Sequence, residues 1–82
     1  MKKIYLQMLK ILSDIQPGKP VKIDSFTKND IFLKLMEMGC IPGETVIVEK
    51  IAPFGDPITI RVSGYTLSLR VNEAETIVVE EI

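Results

Sequence analysis

The amino-acid sequence predicts a small, mainly β domain with one inserted helix. Short β-branched runs that alternate apolar and polar residues follow one another after residue 20, and glycine or proline turn signals separate them. One segment of helical periodicity interrupts this series after the first run. With 82 residues the chain has enough material for one modest core. We therefore expect any functional site to lie on the surface of a single scaffold.

Composition excludes several classes of function. Ten basic and eleven acidic residues give a net charge of −1, without the basic excess that drives nucleic-acid binding, so we expect no nucleic-acid partner. Histidine is absent and there is one cysteine, which removes the commonest general base and any internal disulfide. Charges interrupt every apolar run, so no membrane span is expected. The start of the chain lacks signal-peptide features, which predicts a cytoplasmic protein.

The first residues read as an extension. Residues 1–8 are predicted as an N-terminal extension with a short helix over 3–8, and the domain as residues 9–82, beginning near Leu9. The following stretch to Pro20 is rich in turn residues.

The first strand and the helix have clear signals. Residues 21–26 alternate as in a half-buried strand, and Thr27–Asp30 matches a helix capping box. The apolar stripe of the helix consists of Ile31, Phe32, Leu35, Met36 and Met38. Gly39 is predicted to close the helix in the left-handed conformation, and Pro42-Gly43 to reverse the chain.

The rest of the sequence predicts a series of short strands. The runs are ETVIVEKI, PITIRV, YTLSLR and TIVVE. Ser63-Gly64 is predicted as a hairpin turn, and residues 72–75 as one helical turn capped by Asn72. About five strands with a helix after the first predict a small SH3-like β-barrel. The alternative, an OB-type barrel, normally places its helix between the third and fourth strands.

Cys40 is a weak metal candidate. Its nearest soft partners in sequence are Met36 and Met38, which point away from each other on a helix, so we favour a buried packing role. The carboxylates Glu73, Glu75, Glu80 and Glu81 are interpreted as solvated surface charge rather than a cation site. No nucleophile with a base and no phosphate loop is present, so we expect no enzymatic activity.

The loop Pro53-Phe54-Gly55-Asp56-Pro57 is a candidate partner-binding element. Its prolines make it rigid, and Phe54 either anchors a partner or folds back to cap the barrel; both interpretations stay open. Asp56 is expected to bond within its own turn. Further partner-binding candidates are Arg61 and Arg70, which fall on outward positions of neighbouring strands beside Lys50, and Lys34 on the helix.

One family resemblance covers about residues 9 to 80. The string LMEMGCIPGETVIVEKIAPFGDPITIRVSGYTLSLRVNEAETIVV resembles the core of the FeoA family, the small cytoplasmic companions of the bacterial ferrous iron transporter. The matching points are Leu35 to Gly39 with Pro42-Gly43, Ala52-Pro53, Gly55-Asp56-Pro57, Leu67 to Arg70, Ala74 and Ile77. Two positions depart from the pattern, since Lys34 stands where such sequences usually carry arginine and Cys40 where they carry a larger apolar residue.

The resemblance implies an SH3-like fold and a non-enzymatic role in ferrous iron uptake. The implied partner is the cytoplasmic part of the GTP-driven, FeoB-type transporter at the inner membrane, so the chain would be cytoplasmic and recruited to that surface. The implied alternative is an iron-sensing module related to the SH3-like domain of iron-dependent repressors. No cofactor is expected, weak binding of ferrous or another transition metal stays open, and so does a homo-oligomer. Proline-rich ligands are disfavoured because the chain has few aromatic residues.

Overall fold

The computed structural model describes residues 9–82. Its elements in chain order are β1 (Leu9–Ile11), a 3-10 turn (Leu12–Asp14), β2 (Pro20–Phe26), α1 (Asn29–Glu37), β3 (Thr45–Ile51), β4 (Ile58–Val62), β5 (Tyr65–Leu69), α2 (Val71–Ala74) and β6 (Ile77–Glu81). The predicted mainly β fold with one inserted helix is confirmed. The helix expected over residues 3–8 lies outside the described residues.

The strands form one antiparallel sheet in the order β1-β6-β2-β3-β4-β5. It has six strands where about five were predicted. Its two edge strands, β1 and β5, do not pair with each other, so the sheet is not closed. The register shifts between Ile23 and Ser25 in β2 and between Val48 and Lys50 in β3. Such bulges bend a strand, which helps the sheet to curl around one core.

The extra strand is β1, which the sequence did not predict. Its three residues pair with β6, with Lys10 opposite Val79. A run of three residues is too short to show a period of two, and the turn-rich stretch after it obscures its end. Only the long-range pairing with β6 makes this segment a strand.

Both predicted caps are wrong in detail. Helix α1 begins at Asn29 after an extended Lys28 and has no side-chain cap. Thr27 instead donates its backbone N–H to the carbonyl of Thr76 at 2.8 Å, which ties it to the end of the sheet. Asn72 lies inside α2, since the cap position is Arg70.

The core lies inside the curled sheet and receives buried side chains from the 3-10 turn, from α2 and from the helix α1. From the helix it receives Leu35, which is fully buried, and from just beyond the helix Cys40. The largest fully buried side chains of the strands are Val21, Ile23, Val46, Val48, Ile60, Val62, Leu69, Ile77 and Val79. Burial of each such side chain is worth about 1.5–3 kcal/mol, so this inward face supplies most of the stability.

Gly39 closes α1 as predicted, with a φ of 103°. Ser63 and Gly64 form the predicted hairpin turn between β4 and β5, and both have positive φ. No helix within residues 9–82 is long and apolar enough to cross a membrane.

Candidate functional site

A polar groove of about 520 Å³ lies where α1, the loop before β4 and the end of β5 meet. Its lining residues are Lys34, Met38, Asp56, Pro57, Ser68, Leu69, Arg70 and Glu73. Three of the five partner-binding candidates proposed from the sequence, Lys34, Asp56 and Arg70, therefore line one groove although up to 36 residues separate them along the chain. The pairing of β4 with β5, which begins at Ile58 opposite Leu69, brings Asp56 near Arg70. Lys34 reaches the groove from α1 through its ion pair with Glu73.

Glu73 organises the floor of this groove. Its carboxylate accepts a hydrogen bond from the Arg70 backbone N–H at 2.9 Å and pairs with the Lys34 ammonium at 2.8 Å. Its side chain is only 10% exposed. The hydrogen bond from Lys34, followed by that from the Arg70 backbone, holds the pKa of Glu73 below its usual value. The sequence-based interpretation of Glu73 as solvated surface charge is therefore wrong.

A second carboxylate ties the loop 52–57 to α2. Asp56 Oδ1 accepts a hydrogen bond from the Val71 backbone N–H at 3.0 Å, and not from its own turn as predicted. The loop is also closed internally, since Gly55 donates to the carbonyl of Ala52 at 2.7 Å. The loop that forms this wall of the groove is thus held by one hydrogen bond to α2 and by another within the loop.

Phe54 projects from the tip of that loop and is 100% exposed. Of the two interpretations left open by the sequence, folding back to cap the barrel is wrong. Because the ring makes no packing contact, a partner can cover it without breaking any contact that the free protein makes. Its exposure agrees with an anchor role, and that role stays a prediction.

The arginines do not form one basic face. Arg61 lies opposite Thr66 near the hairpin turn and pairs with Glu49 at 2.8 Å, whereas Arg70 follows Leu69 at the other end of β5. Within the described residues the Arg70 guanidinium makes no ion pair, although its charge helps to lower the pKa of Glu73. Arg70 thus brings an uncommitted cation to the groove, and Arg61 does not reach it.

Cys40 is fully buried just past α1. Burial, and secondarily the charge of Glu73, raises the pKa of its thiol to about 11, so the reactive and metal-binding thiolate is strongly disfavoured. Within residues 9–82 no group of three or more cysteine, aspartate or glutamate side chains is close enough to hold a metal ion. The metal-sensing alternative stays a prediction that this geometry does not favour.

Sequence reasoning missed two features of the surface. Glu73 is one; an acidic residue three positions after Arg70 at a helix start was a signal that would have identified its capping role. The other is an apolar groove of about 270 Å³ beside α1, where the rings of Phe26 and Phe32 lie 6.3 Å apart. Its residues come from separate elements, so no local pattern reveals it.

Comparison with known proteins gives a consistent family assignment. The FeoA domain model matches residues 10–81. A Porphyromonas gingivalis protein, described as an Fe(2+) transport protein A/Fe(2+) transporter FeoB fusion protein, is 36% identical over 70 residues. That match covers 84% of this chain and 8% of the fusion protein, so the chain spans less than a tenth of its relative.

Two solved structures show the same fold. A FeoA-like protein from Clostridium acetobutylicum has a TM-score of 0.85 and 36% identity, covering 92% of this chain and 88% of that one. The zinc complex of Stenotrophomonas maltophilia FeoA, described as a procaryotic SH3 domain protein, has a TM-score of 0.75 and 26% identity, covering 87% and 89%. The predicted SH3-like architecture is thereby confirmed, and the chain belongs to the FeoA domain family.

Proposed function

We propose that this chain is a non-enzymatic accessory protein of ferrous iron uptake, which binds the cytoplasmic part of a FeoB-type transporter. The observation that carries the proposal is the P. gingivalis fusion, in which one polypeptide contains both an FeoA part and the transporter FeoB. Fusion gives two modules a high effective concentration. A separate chain reaches the same proximity only through a binding surface of its own.

The loop at Phe54 and the adjoining polar groove are the surface best suited to this contact. Interfaces commonly combine a desolvated aromatic anchor with a polar rim, and here the loop that carries the exposed ring also supplies Asp56 and Pro57 to the groove that Arg70 lines. The hydrogen bonds at Gly55 and Asp56 hold the loop in place before binding, so little conformational entropy is lost on association.

Charge defines the chemistry that the groove accepts. Glu73 is already satisfied by Lys34 and by the Arg70 backbone, and Asp56 accepts from Val71. The free guanidinium of Arg70 is therefore the group available to a carboxylate, which it can hold with two parallel hydrogen bonds. We expect an acidic side chain of the transporter's cytoplasmic part at this point. Such binding would bring a cytoplasmic chain to the inner face of the membrane.

The test is an affinity measurement between the full chain and the soluble cytoplasmic domain of the transporter, by calorimetry, in GTP-bound, GDP-bound and nucleotide-free states. Phe54→Ala should weaken binding about tenfold or more, as expected for a buried aromatic anchor. The matched control is Ile41→Ala, which shortens another exposed apolar loop residue and should leave the affinity unchanged. No binding in any nucleotide state, or equal losses for both variants, would contradict the proposal.

A further inference from the structure

The two edges of the sheet differ in how they are protected. The β1 edge has three residues, and its Lys10 pairs with Glu81 at 3.2 Å. The β5 edge has five residues, keeps regular register with β4, and contains no charged residue and no proline. Natural proteins usually block exposed edges with lysine, proline, bulges or short strands. Within the described residues, β5 has none of these devices.

The hairpin turn determines which backbone groups of β5 face outward. In a two-residue turn such as Ser63-Gly64, the flanking residues Val62 and Tyr65 exchange both hydrogen bonds. Bonds to β4 then recur at every second residue. Thr66 and Ser68 therefore direct their N–H and C=O groups toward the open side of the sheet.

We propose that two copies of this chain pair antiparallel through β5, about a two-fold axis at Leu67. In this register Thr66 of each copy lies opposite Ser68 of the other, so every outward donor of the strand meets an acceptor. Tyr65, which is 69% exposed, lies opposite Leu69 of the second copy, whose side chain is already buried in its own core, so the pairing depends on the backbone hydrogen bonds. The contact is self-complementary, as a two-fold interface requires.

Charge complementarity favours a second copy as the occupant of this edge. Arg70 follows β5, and the pairing places it opposite Gly64 of the second copy. That turn carries an acidic group, because Ser63 donates a hydrogen bond to the carboxylate of Glu44. Each copy thus brings its uncommitted guanidinium to the other's carboxylate, and no like charges face each other along the strand.

The contact is small, so the dimer should be weak, with a dissociation constant on the order of 0.1 mM. Sedimentation equilibrium of the full 82-residue chain tests this, with protein concentrations up to about 1 mM. Thr66→Pro removes an outward donor at an edge position that tolerates proline, and should weaken association at least about tenfold. Thr66→Val keeps the N–H group and is the control, with unchanged association expected. Circular dichroism establishes that each variant is folded.

A charge exchange tests the register without altering the backbone. Arg70→Glu and Glu44→Arg should each weaken association, and the double variant should restore it. A monomer at every concentration, or a dimer that tolerates Thr66→Pro in a folded protein, would overturn the β5 pairing. A failure of the double variant to restore association would overturn the register. Thr66 does not line the groove, so the Thr66 variants test the strand pairing separately from transporter binding. Arg70 belongs to both surfaces, so its variants are assessed only by sedimentation of the chain alone.

Discussion

Residues 39–43 and residues 53–57 are two short loops rich in glycine and proline, and each presents one conspicuous side chain. In the first loop Cys40 is fully buried, whereas in the second Phe54 is fully exposed. Local composition is thus nearly the same while the direction of the side chain is opposite. The difference comes from what each loop is bonded to.

The first loop is bonded to helix α1 and to the core strand β2. Cys40 donates its backbone N–H to the carbonyl of Leu35 at 2.9 Å, and Gly43 donates to that of Ile23 at 2.8 Å. The second loop is closed on itself through Gly55 and Ala52 and is bonded to α2 only through the Asp56 side chain, so neither bond involves Phe54. A loop tied to the core serves as scaffold, and a loop closed on itself is available to display a side chain. The following variants test this division.

Gly39→Val should have the largest effect on stability, a loss of about 3 kcal/mol, because a β-branched residue resists a φ of 103°. The added Cβ would meet only Val62, at 4.0 Å, so the cost is conformational rather than steric. Gly39→Asn, which tolerates positive φ better, should lose less. Chemical denaturation measures both, and equal losses would contradict the conformational explanation.

Cys40→Ser should destabilise the protein by about 2 kcal/mol, because it places a hydroxyl group in a fully buried apolar site. Cys40→Ala should cost less, since it leaves only a small cavity. The free energies of unfolding of the two variants and the parent protein distinguish a packing role of Cys40 from another role. A serine variant as stable as the parent would show that this site is not the apolar environment described here.

Glu73→Gln should cost about 1 kcal/mol at neutral pH, because it removes the charge that Lys34 pairs with while keeping the side-chain shape. The pKa of Glu73 is lowered in the folded state, so its contribution is present above the ordinary glutamate value and is lost as the pH falls through the folded pKa. The difference between parent and variant should therefore shrink below about pH 4. Glu75→Gln, at an exposed position, is the control and should show no such change.

Phe54→Ala should have the smallest effect on stability, within about 0.5 kcal/mol, because the side chain makes no packing contact that would be lost. Thermal unfolding measures this directly. A clear loss of stability would favour the interpretation in which Phe54 caps the barrel. It would also remove the main support for a loop that presents Phe54 to a partner.

Much of the fold follows from sequence periodicity. The five longer strands, β2 to β6, were predicted from apolar residues that recur at every second position and from β-branched runs between turn signals, and α1 from apolar residues that recur near every 3.6 positions. Gly39 was predicted because a helix end needs positive φ. Strand β1 was missed since three residues hold no period. Its existence depends on pairing with β6, more than sixty residues later.

The site was harder to predict because its contacts are non-local. Asp56 bonds to Val71 and Lys34 to Glu73, across 15 and 39 residues respectively. The same Pro-Phe-Gly-Asp-Pro loop is compatible with an inward or an outward ring, and only the closed turn with its bond to α2 decides the matter. Residue types therefore indicated the candidates, while the sheet register determined which of them meet.

The most direct test of the account is an amide NMR titration of the labelled full chain with the transporter's soluble cytoplasmic domain, and separately with ferrous iron under anaerobic conditions. Adding the domain should shift the signals of residues 53–57 and of the groove at Lys34 and Arg70, and leave those near Cys40 unchanged. Shifts that appear only with iron and centre on Cys40 would contradict the account and identify a metal sensor instead.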